Sequence, residues 1–239
     1  MLPLRAIDIW LNPEMYPDVF AISNMHAASF IVLFSSTIVI STAFLLMHRE
    51  RAAAELYRLA TIDQLTGLFN RRAFLELAER ELARARRTGS PHAVLMMDLD
   101  QFKRVNDEFG HQAGDRVLAG FATVTKGCVR TEDLVGRYGG EEFCAVLPGI
   151  TMQKAIAIAE RLRVAVSQRP LGDLPRATRV SIGVAFCSGA MRGSLHAAIG
   201  RADEALYRAK QDGRDCVVGL EFAADGEHTG AAQMACRAS

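Results

Sequence analysis

Arg137-Tyr138-Gly139-Gly140-Glu141-Glu142-Phe143 constrains the fold of this chain more than any other stretch. Leu134-Val135 before it and Phe143-Cys144-Ala145-Val146-Leu147 after it read as strands. A Gly-Gly pair between two strand-like runs predicts a tight antiparallel hairpin, because glycine takes positive φ without steric cost. Glu141 and Glu142 then stand at the hairpin tip. Two carboxylates about 4 Å apart repel by roughly 4 kcal/mol at an effective dielectric near 20. A divalent cation turns that repulsion into coordination.

A second acidic cluster points the same way. His92-Ala93-Val94-Leu95-Met96-Met97 is a short apolar run, read as a buried strand. It ends in Asp98-Leu99-Asp100. Residues two apart in a strand share a face, so Asp98 and Asp100 are expected to point together. Carboxylates from a strand end and a hairpin tip suit Mg²⁺ held against a nucleotide phosphate. The competing reading is two ordinary acidic turns.

Four blocks carry a family resemblance: Asp63-Gln64-Leu65-Thr66-Gly67-Leu68-Phe69-Asn70-Arg71-Arg72, Asp98-Leu99-Asp100-Gln101-Phe102-Lys103-Arg104-Val105-Asn106-Asp107, Gly110-His111-Gln112-Ala113-Gly114-Asp115, and the Gly-Gly hairpin. In this order and spacing the chain resembles the GGDEF family of diguanylate cyclases, in the GGEEF variant, over roughly residues 60–220. The resemblance implies condensation of two GTP into cyclic di-GMP and pyrophosphate.

The near-neutral charge of +1 gives no support for a nucleic-acid partner. Five cysteines are scattered without metal-ligand or disulfide spacing, and Cys144 and Cys187 read as small core residues of a cytoplasmic domain. Val19 to Met47 contains no Asp, Glu, Lys or Arg. Its core from Ala27 spans roughly 30 Å as a helix, the hydrocarbon thickness of a bilayer. The competing readings are a cleaved signal peptide and a buried helix. Arg49, Arg51 and Arg58 follow the span and Arg5 alone precedes it. The positive-inside rule then puts the C-terminal part in the cytoplasm, below the inner membrane. Trp10 and Tyr16 are expected at the outer interface.

The expected organisation is a short extracytoplasmic segment at 1–24, a transmembrane helix at 25–47 and a helical linker at 48–60. A catalytic domain at 61–220 and a disordered tail at 221–239 follow. Leu45, Ala52, Leu56 and Leu59 offer a short heptad seam for a dimeric linker. In the domain, helices are expected after Asn70, from about Asp115 to Val129, from Thr151 to Gln168 and from Leu195 to Gln211. A strand is expected from Thr178 to Cys187 and a short one from Cys216 to Val218. This order predicts an α+β fold: an antiparallel sheet with helices mainly on one face. The resemblance adds the ferredoxin-like, palm-type architecture of class III nucleotide cyclases.

The resemblance also implies residue roles. Asp98, the Leu99 carbonyl and Glu141 or Glu142 would ligate two Mg²⁺, with Mn²⁺ as an alternative metal. Glu141 matches the position tied to proton removal from the attacking hydroxyl; which of the two glutamates is base and which is ligand stays open. Lys103, Lys210 and Arg214 match cations that approach the triphosphate, a role suited to flexible charged side chains. Asn106 and Asp115 match the guanine readers, since a carboxylate accepts from N1–H and the exocyclic amine of guanine. His111 is expected to shape the pocket loop and Phe102 to contact substrate. Arg130 and Asp133 form the RxxD pattern of a product-inhibition site, with Arg161 as its second arginine. The alternative for that pair is a surface ion pair. Two sites must face each other, so a homodimer is expected. Two competing functions share these residues: an inactive cyclic di-GMP sensor and a cyclase acting on one nucleotide.

Overall fold

The computed structural model describes residues 8, 10–15, 24–168, 170–172, 174, 177–188, 194–221 and 233–236. At 13, 24–30, 50–60 and 233–236 it describes the backbone alone. Tyr16 and the side chains of Ala52, Leu56 and Leu59 therefore lie outside the described groups. The chain divides into two compact units, Met1–Tyr57 and Arg58–Ser239.

The first unit holds a 3₁₀ turn at Pro13–Met15 and most of helix α1, Asn24–Thr61. The separate span and linker expected from the sequence are one continuous helix. Neither Gly nor Pro interrupts its residues, and nothing else there breaks the hydrogen-bond ladder. Ile31–Arg49 is long and apolar enough to cross a membrane, with mean hydropathy 2.0. Its Leu33, Phe34, Val39 and Phe44 side chains are exposed. The hydroxyls of Ser36 and Thr37 both donate to the Leu33 carbonyl at 2.8 Å. These two hydroxyls are thus satisfied within the helix, as a hydrocarbon environment requires.

The second unit contains α2 (Arg71–Thr88), β1 (His92–Leu99), α3 (Phe102–Phe109), α4 (His111–Cys128), β2 (Leu134–Arg137) and β3 (Glu142–Pro148). It continues with α5 (Met152–Gln168), β4 (Val180–Cys187), α6 (Leu195–Gln211), β5 (Cys216–Glu221) and β6 (Gln233–Cys236). Asn70 caps α2 by accepting from the Ala73 N–H at 3.0 Å, as expected of an Asn before an apolar face. α3 is a helix that sequence reading left inside a motif. Gly110, at φ 81, separates it from α4.

The sheet order is β2-β3-β1-β4-β5-β6. The α+β class holds, but the sheet is mixed, not wholly antiparallel. β4 and β5 are parallel because α6 crosses over between them. Helices also cover both faces, where one face was expected. α4 and α5 pack with Leu95, Met97 and Leu99; α2 and α6 pack with Val94 and Met96. All eight β1 residues are buried, which fits a run with no polar alternation. Within the expected tail, Gln233–Cys236 pairs antiparallel with β5; 222–232 and 237–239 lie outside the described residues. The pairing satisfies backbone groups that β5 would otherwise leave open at a sheet edge.

Candidate active site

β1 is the central strand, and its end aligns the acidic groups. The register sets Asp98 opposite Glu142 on β3 and opposite Ser181 on β4. Asp98 is 6% exposed. Its Oδ2 lies 2.9 Å from the Lys210 ammonium, which α6 delivers from the sheet face it covers. Glu141 joins the same rim, its carbonyl accepting from the Leu99 N–H at 3.4 Å. Burial raises the pKa of Glu141, reinforced by the charges of Asp98 and Glu142 and only partly offset by Lys210.

The hairpin tip is built differently from the expectation. Neither Gly139 nor Gly140 lies in the left-handed region. A Cβ on Gly139 would sit 2.3 Å from Glu142 Oε2, the far end of a side chain that can rotate. The Glu142 carbonyl accepts from the Tyr138 and Gly139 N–H groups at 2.8 and 3.1 Å, which closes the tip. Arg137 then fixes it from outside. Its Nη2 donates to the Gly140 carbonyl at 2.7 Å, and its Nη1 lies 3.3 Å from Asp63 Oδ2. Against the cost of burial, bonds from Thr66 and from Arg137 hold the Asp63 carboxyl below its ordinary pKa. The link from Asp63 to the tip has no local sequence signal, because its partners are 74 residues apart.

Asp100 does not serve the rim as a free carboxylate. Ser181 Oγ donates to its Oδ1 at 2.8 Å, and the Asp215 N–H donates to its Oδ2 at 3.0 Å. It clamps β4 to the segment after α6. Among the described residues, no three His, Cys, Asp or Glu side chains are gathered into a metal cage. Lys210 neutralises Asp98 instead. The donor set still suits a hard cation: its side-chain donors are carboxylate oxygens, and the repulsion that adds to burial in raising Glu141 is what a divalent ion relieves.

The remaining residues fall into two groups. Asn106 is half-buried, and its Oδ1 occupies the place of a Cβ on Gly114, at 1.9 Å. The glycine at 114 is what lets α3 and α4 meet there. Asp115 and His111 are exposed on α4, Lys103 on α3, and Arg214 at φ 64 beyond α6. Phe102, expected to contact substrate, is 7% exposed and packs in the core. The helical spacing from Phe102 to Val105 turns it inward.

Arg130 and Asp133 are not a side-chain ion pair. Asp133 Oδ2 accepts from the Arg130 backbone N–H at 2.7 Å, and the Arg130 guanidinium remains exposed, 3.8 Å from Glu132. Burial, with help from Glu132, raises the Asp133 pKa. A cavity of about 300 Å³ adjoins the pair, lined also by Lys126, Val129 and Phe69. Arg161 donates to the Cys128 carbonyl at 2.5 Å from α5. Cys144 and Cys187 are buried as expected, and burial pushes the Cys187 thiol up to about 12.

The chain matches the family described as diguanylate cyclase, GGDEF domain, over residues 60–216. It is 41% identical over 170 residues to diguanylate cyclase DgcM of Escherichia coli K12, a match covering 71% of this chain and 41% of that protein. It is 43% identical over 165 residues to the response regulator PleD of Caulobacter vibrioides, covering 67% of this chain and 36% of PleD. The matches thus take in less than half the length of these curated relatives. Among solved structures it resembles the coiled coil and GGDEF domain of DgcB from Caulobacter crescentus in complex with c-di-GMP. The TM-score is 0.71 at 34% identity, covering 78% of this chain and 98% of that one. It also resembles the active GGEEF domain of a diguanylate cyclase from Vibrio cholerae, at TM-score 0.58 and 32% identity, covering 62% and 96%. The chain belongs to the GGDEF-domain diguanylate cyclase family.

The crowding at Glu141 has a measurable consequence. A carboxyl whose folded pKa is raised contributes stability below its unfolded pKa and loses it as pH rises through the folded value. Glu141→Gln should therefore raise the melting temperature at neutral pH by about 1–3 °C. The gap from wild type should shrink as pH falls toward 4.5, the ordinary glutamate value, and be nearly gone below it. Millimolar Mg²⁺ should stabilise wild type more than the variant. Thermal unfolding across pH and Mg²⁺ reads all three; a pH-independent gap would contradict the assigned cause.

Proposed function

We propose that the chain is a membrane-anchored diguanylate cyclase. It condenses two GTP into cyclic di-GMP and pyrophosphate at a homodimer interface and is inhibited by its product. The observation that carries this reading is the convergence of Asp98, Glu141, Glu142 and Lys210 at the ends of β1 and β3. Asn106, seated over Gly114, supports guanine recognition beside it.

Asp98, Glu141, Glu142 and the Leu99 carbonyl would hold Mg²⁺, or Mn²⁺ in its place. The metal, when bound, would neutralise phosphate charge and lower the pKa of the attacking 3′-hydroxyl. Lys103, Lys210 and Arg214 offset charge on the triphosphate. Glu141 or Glu142 accepts the proton from the 3′-hydroxyl. Asn106 and Asp115 read the guanine edge, and adenine would leave that carboxylate without its donors. His111 shapes the pocket loop. α1 anchors the enzyme through Ile31–Arg49, with the basic residues after the span holding the domain in the cytoplasm.

Full-length protein in nanodiscs, given GTP and Mg²⁺, should yield cyclic di-GMP by product mass. Cyclic GMP would identify a single-nucleotide cyclase, and absence of turnover with retained cyclic di-GMP binding would identify a sensor. In detergent, specific activity should rise with protein concentration, because two half-sites must meet. A flat profile for a demonstrated monomer would exclude a dimeric catalyst.

Product inhibition is assigned to Arg130, Asp133 and Arg161. The exposed Arg130 guanidinium is free to fork onto guanine or phosphate. Arg130→Ala should weaken inhibition by added cyclic di-GMP about tenfold, the scale of one charged hydrogen bond. The initial rate without product should stay within about twofold. Superimposable inhibition curves for the two proteins would remove the arginine from the inhibitory site.

A further inference from the structure

β6 brings together two cysteines that the order of the sequence keeps apart. In the antiparallel register of β5 and β6, Cys216 lies directly opposite Cys236. Directly opposed residues of an antiparallel pair have Cα atoms roughly 4.5 or 5.5 Å apart, depending on the hydrogen-bond pattern. Both separations fall within the window of about 4.4–6.8 Å that a disulfide bridges. Among the described residues the register brings no other two cysteines together. Cys144 lies opposite Met96 and Gly136, and Cys187 opposite His92. Cys128 ends α4.

The face of the sheet is fixed as well. Cys216, Val218 and Leu220 alternate along β5 and pack with Ala205 and Ala209 of α6. The Cys216 thiol donates to the Ala209 carbonyl at 3.4 Å. Opposed residues of an antiparallel pair lie on one face of the sheet, so Cys236 takes the same face as Cys216. A slip of one residue would put them on opposite faces.

The two strands differ in how firmly they are held. β6 has four residues and stands at the sheet edge, paired with β5 alone. A short edge strand held by backbone pairing to one neighbour opens at low cost. Cys216 is 1% exposed. It follows Asp215, whose N–H donates to Asp100 at 3.0 Å and whose carboxylate accepts from Arg163 at 2.7 Å. One cysteine is thus anchored in the core, and the other belongs to the element that can leave.

We infer that Cys216 and Cys236 form a reversible, oxidant-set disulfide that pins β6 to β5. Hydrogen peroxide is the oxidant. One thiol takes an oxygen from it to become a sulfenic acid, and water leaves. The second thiol attacks that sulfur, forming the S–S bond and releasing a second water. The two thiols together lose two electrons and two hydrogens, and one peroxide becomes two waters. A dithiol reductant reverses the step by thiol–disulfide exchange. In a reducing compartment such a bond is transient and follows the oxidant. In the reduced chain β6 covers the β5 edge by backbone pairing alone. In the oxidised chain it stays, and that edge is closed to pairing with another chain.

The test uses the whole chain in nanodiscs, first reduced and then exposed to hydrogen peroxide. Remaining thiols are alkylated in denaturant and the chain is digested with trypsin. No Lys or Arg lies between Asp215 and Arg237, so both cysteines fall on one peptide, 215–237. That peptide should weigh two hydrogens less than its reduced form and carry no alkyl group. Cleavage after Glu221 and Glu227 should leave its two ends joined until dithiothreitol is added. Hydrogen exchange at 233–236 should slow about tenfold on oxidation. The melting temperature should rise by about 5 °C, because the bond restricts the unfolded chain. Cys236→Ser should melt with reduced wild type and show neither change with peroxide. Alkylation of both thiols in peroxide-treated wild type, or a bond from Cys216 to any other cysteine, would overturn the pair. A linked peptide with unchanged exchange at 233–236 would overturn the pinning. None of these readouts depends on turnover.

Discussion

Glu141→Ala and Glu142→Ala should each abolish cyclic di-GMP synthesis, by roughly 10³-fold or more, while the domain stays folded. Both residues are half-buried at the sheet rim, and neither contributes an apolar side chain to the core. Removing Glu141 even relieves a repulsion, because burial and the charges of Asp98 and Glu142 raise its pKa. Stability and activity should therefore move in opposite directions for Glu141, which separates loss of chemistry from loss of fold. Glu142 differs in one respect: its carboxylate packs over Gly139, so its removal also loosens the tip. Arg137 still holds the Gly140 carbonyl at 2.7 Å, so the hairpin should survive. Initial rates with GTP and Mg²⁺, beside melting curves, measure both effects. A folded alanine variant with near-normal turnover would remove that glutamate from the mechanism.

The parts of this site that sequence makes legible are those set by local pattern. β1 ends where its apolar run meets Asp98, and the hairpin turns at Gly139-Gly140, because strand period and turn composition act over a few residues. The hydrogen-bonded cap of Asn70 on α2 belongs to the same class. What stayed hidden depends on distant chain segments meeting. The Arg163–Asp215 pair joins residues 52 apart, and Arg137–Asp63 joins residues 74 apart. Neither leaves a periodic trace. Lys210 was legible as a basic residue late in the domain, but its 2.9 Å pairing with Asp98 follows only from α6 packing on the β1 face. The second helical layer was missed for a related reason. A strand buried on both faces and one buried on a single face with apolar edges can share the same short run of letters. The hairpin turns at Gly139-Gly140 without the positive φ that a Gly-Gly pair suggests.

Gly183→Ala should be the most damaging single methyl in the domain core. Gly183 lies in β4, directly under α6. A Cβ built there would stand 2.1 Å from the Ala202 carbonyl oxygen and 2.2 Å from the Leu206 nitrogen. Both are backbone atoms of a helix packed through Ala198, Ala202 and Leu206, so no side chain can swing aside. Overpacking costs typically about 1–3 kcal/mol where neighbours can adjust, and this site should reach or exceed the top of that range. At about 2–4 °C per kcal/mol for a domain of this size, the melting temperature should fall by roughly 6 °C or more. Gly219→Ala is the matched control on β5. Its Cβ would meet Met152 Cε at 2.4 Å and Ile156 Cδ1 at 2.9 Å, the far ends of side chains that can rotate, so the loss should be about half as large or less. The helix that Gly183 admits also carries Lys210 to Asp98. Any α6 displacement that accommodates the methyl should therefore draw the ammonium away from the acidic rim. The Gly183→Ala enzyme should lose turnover at temperatures where circular dichroism still reports a folded domain, and Gly219→Ala should not. Equal melting temperatures for the two variants would show that α6 can move off the sheet freely, contrary to the close backbone packing at Gly183.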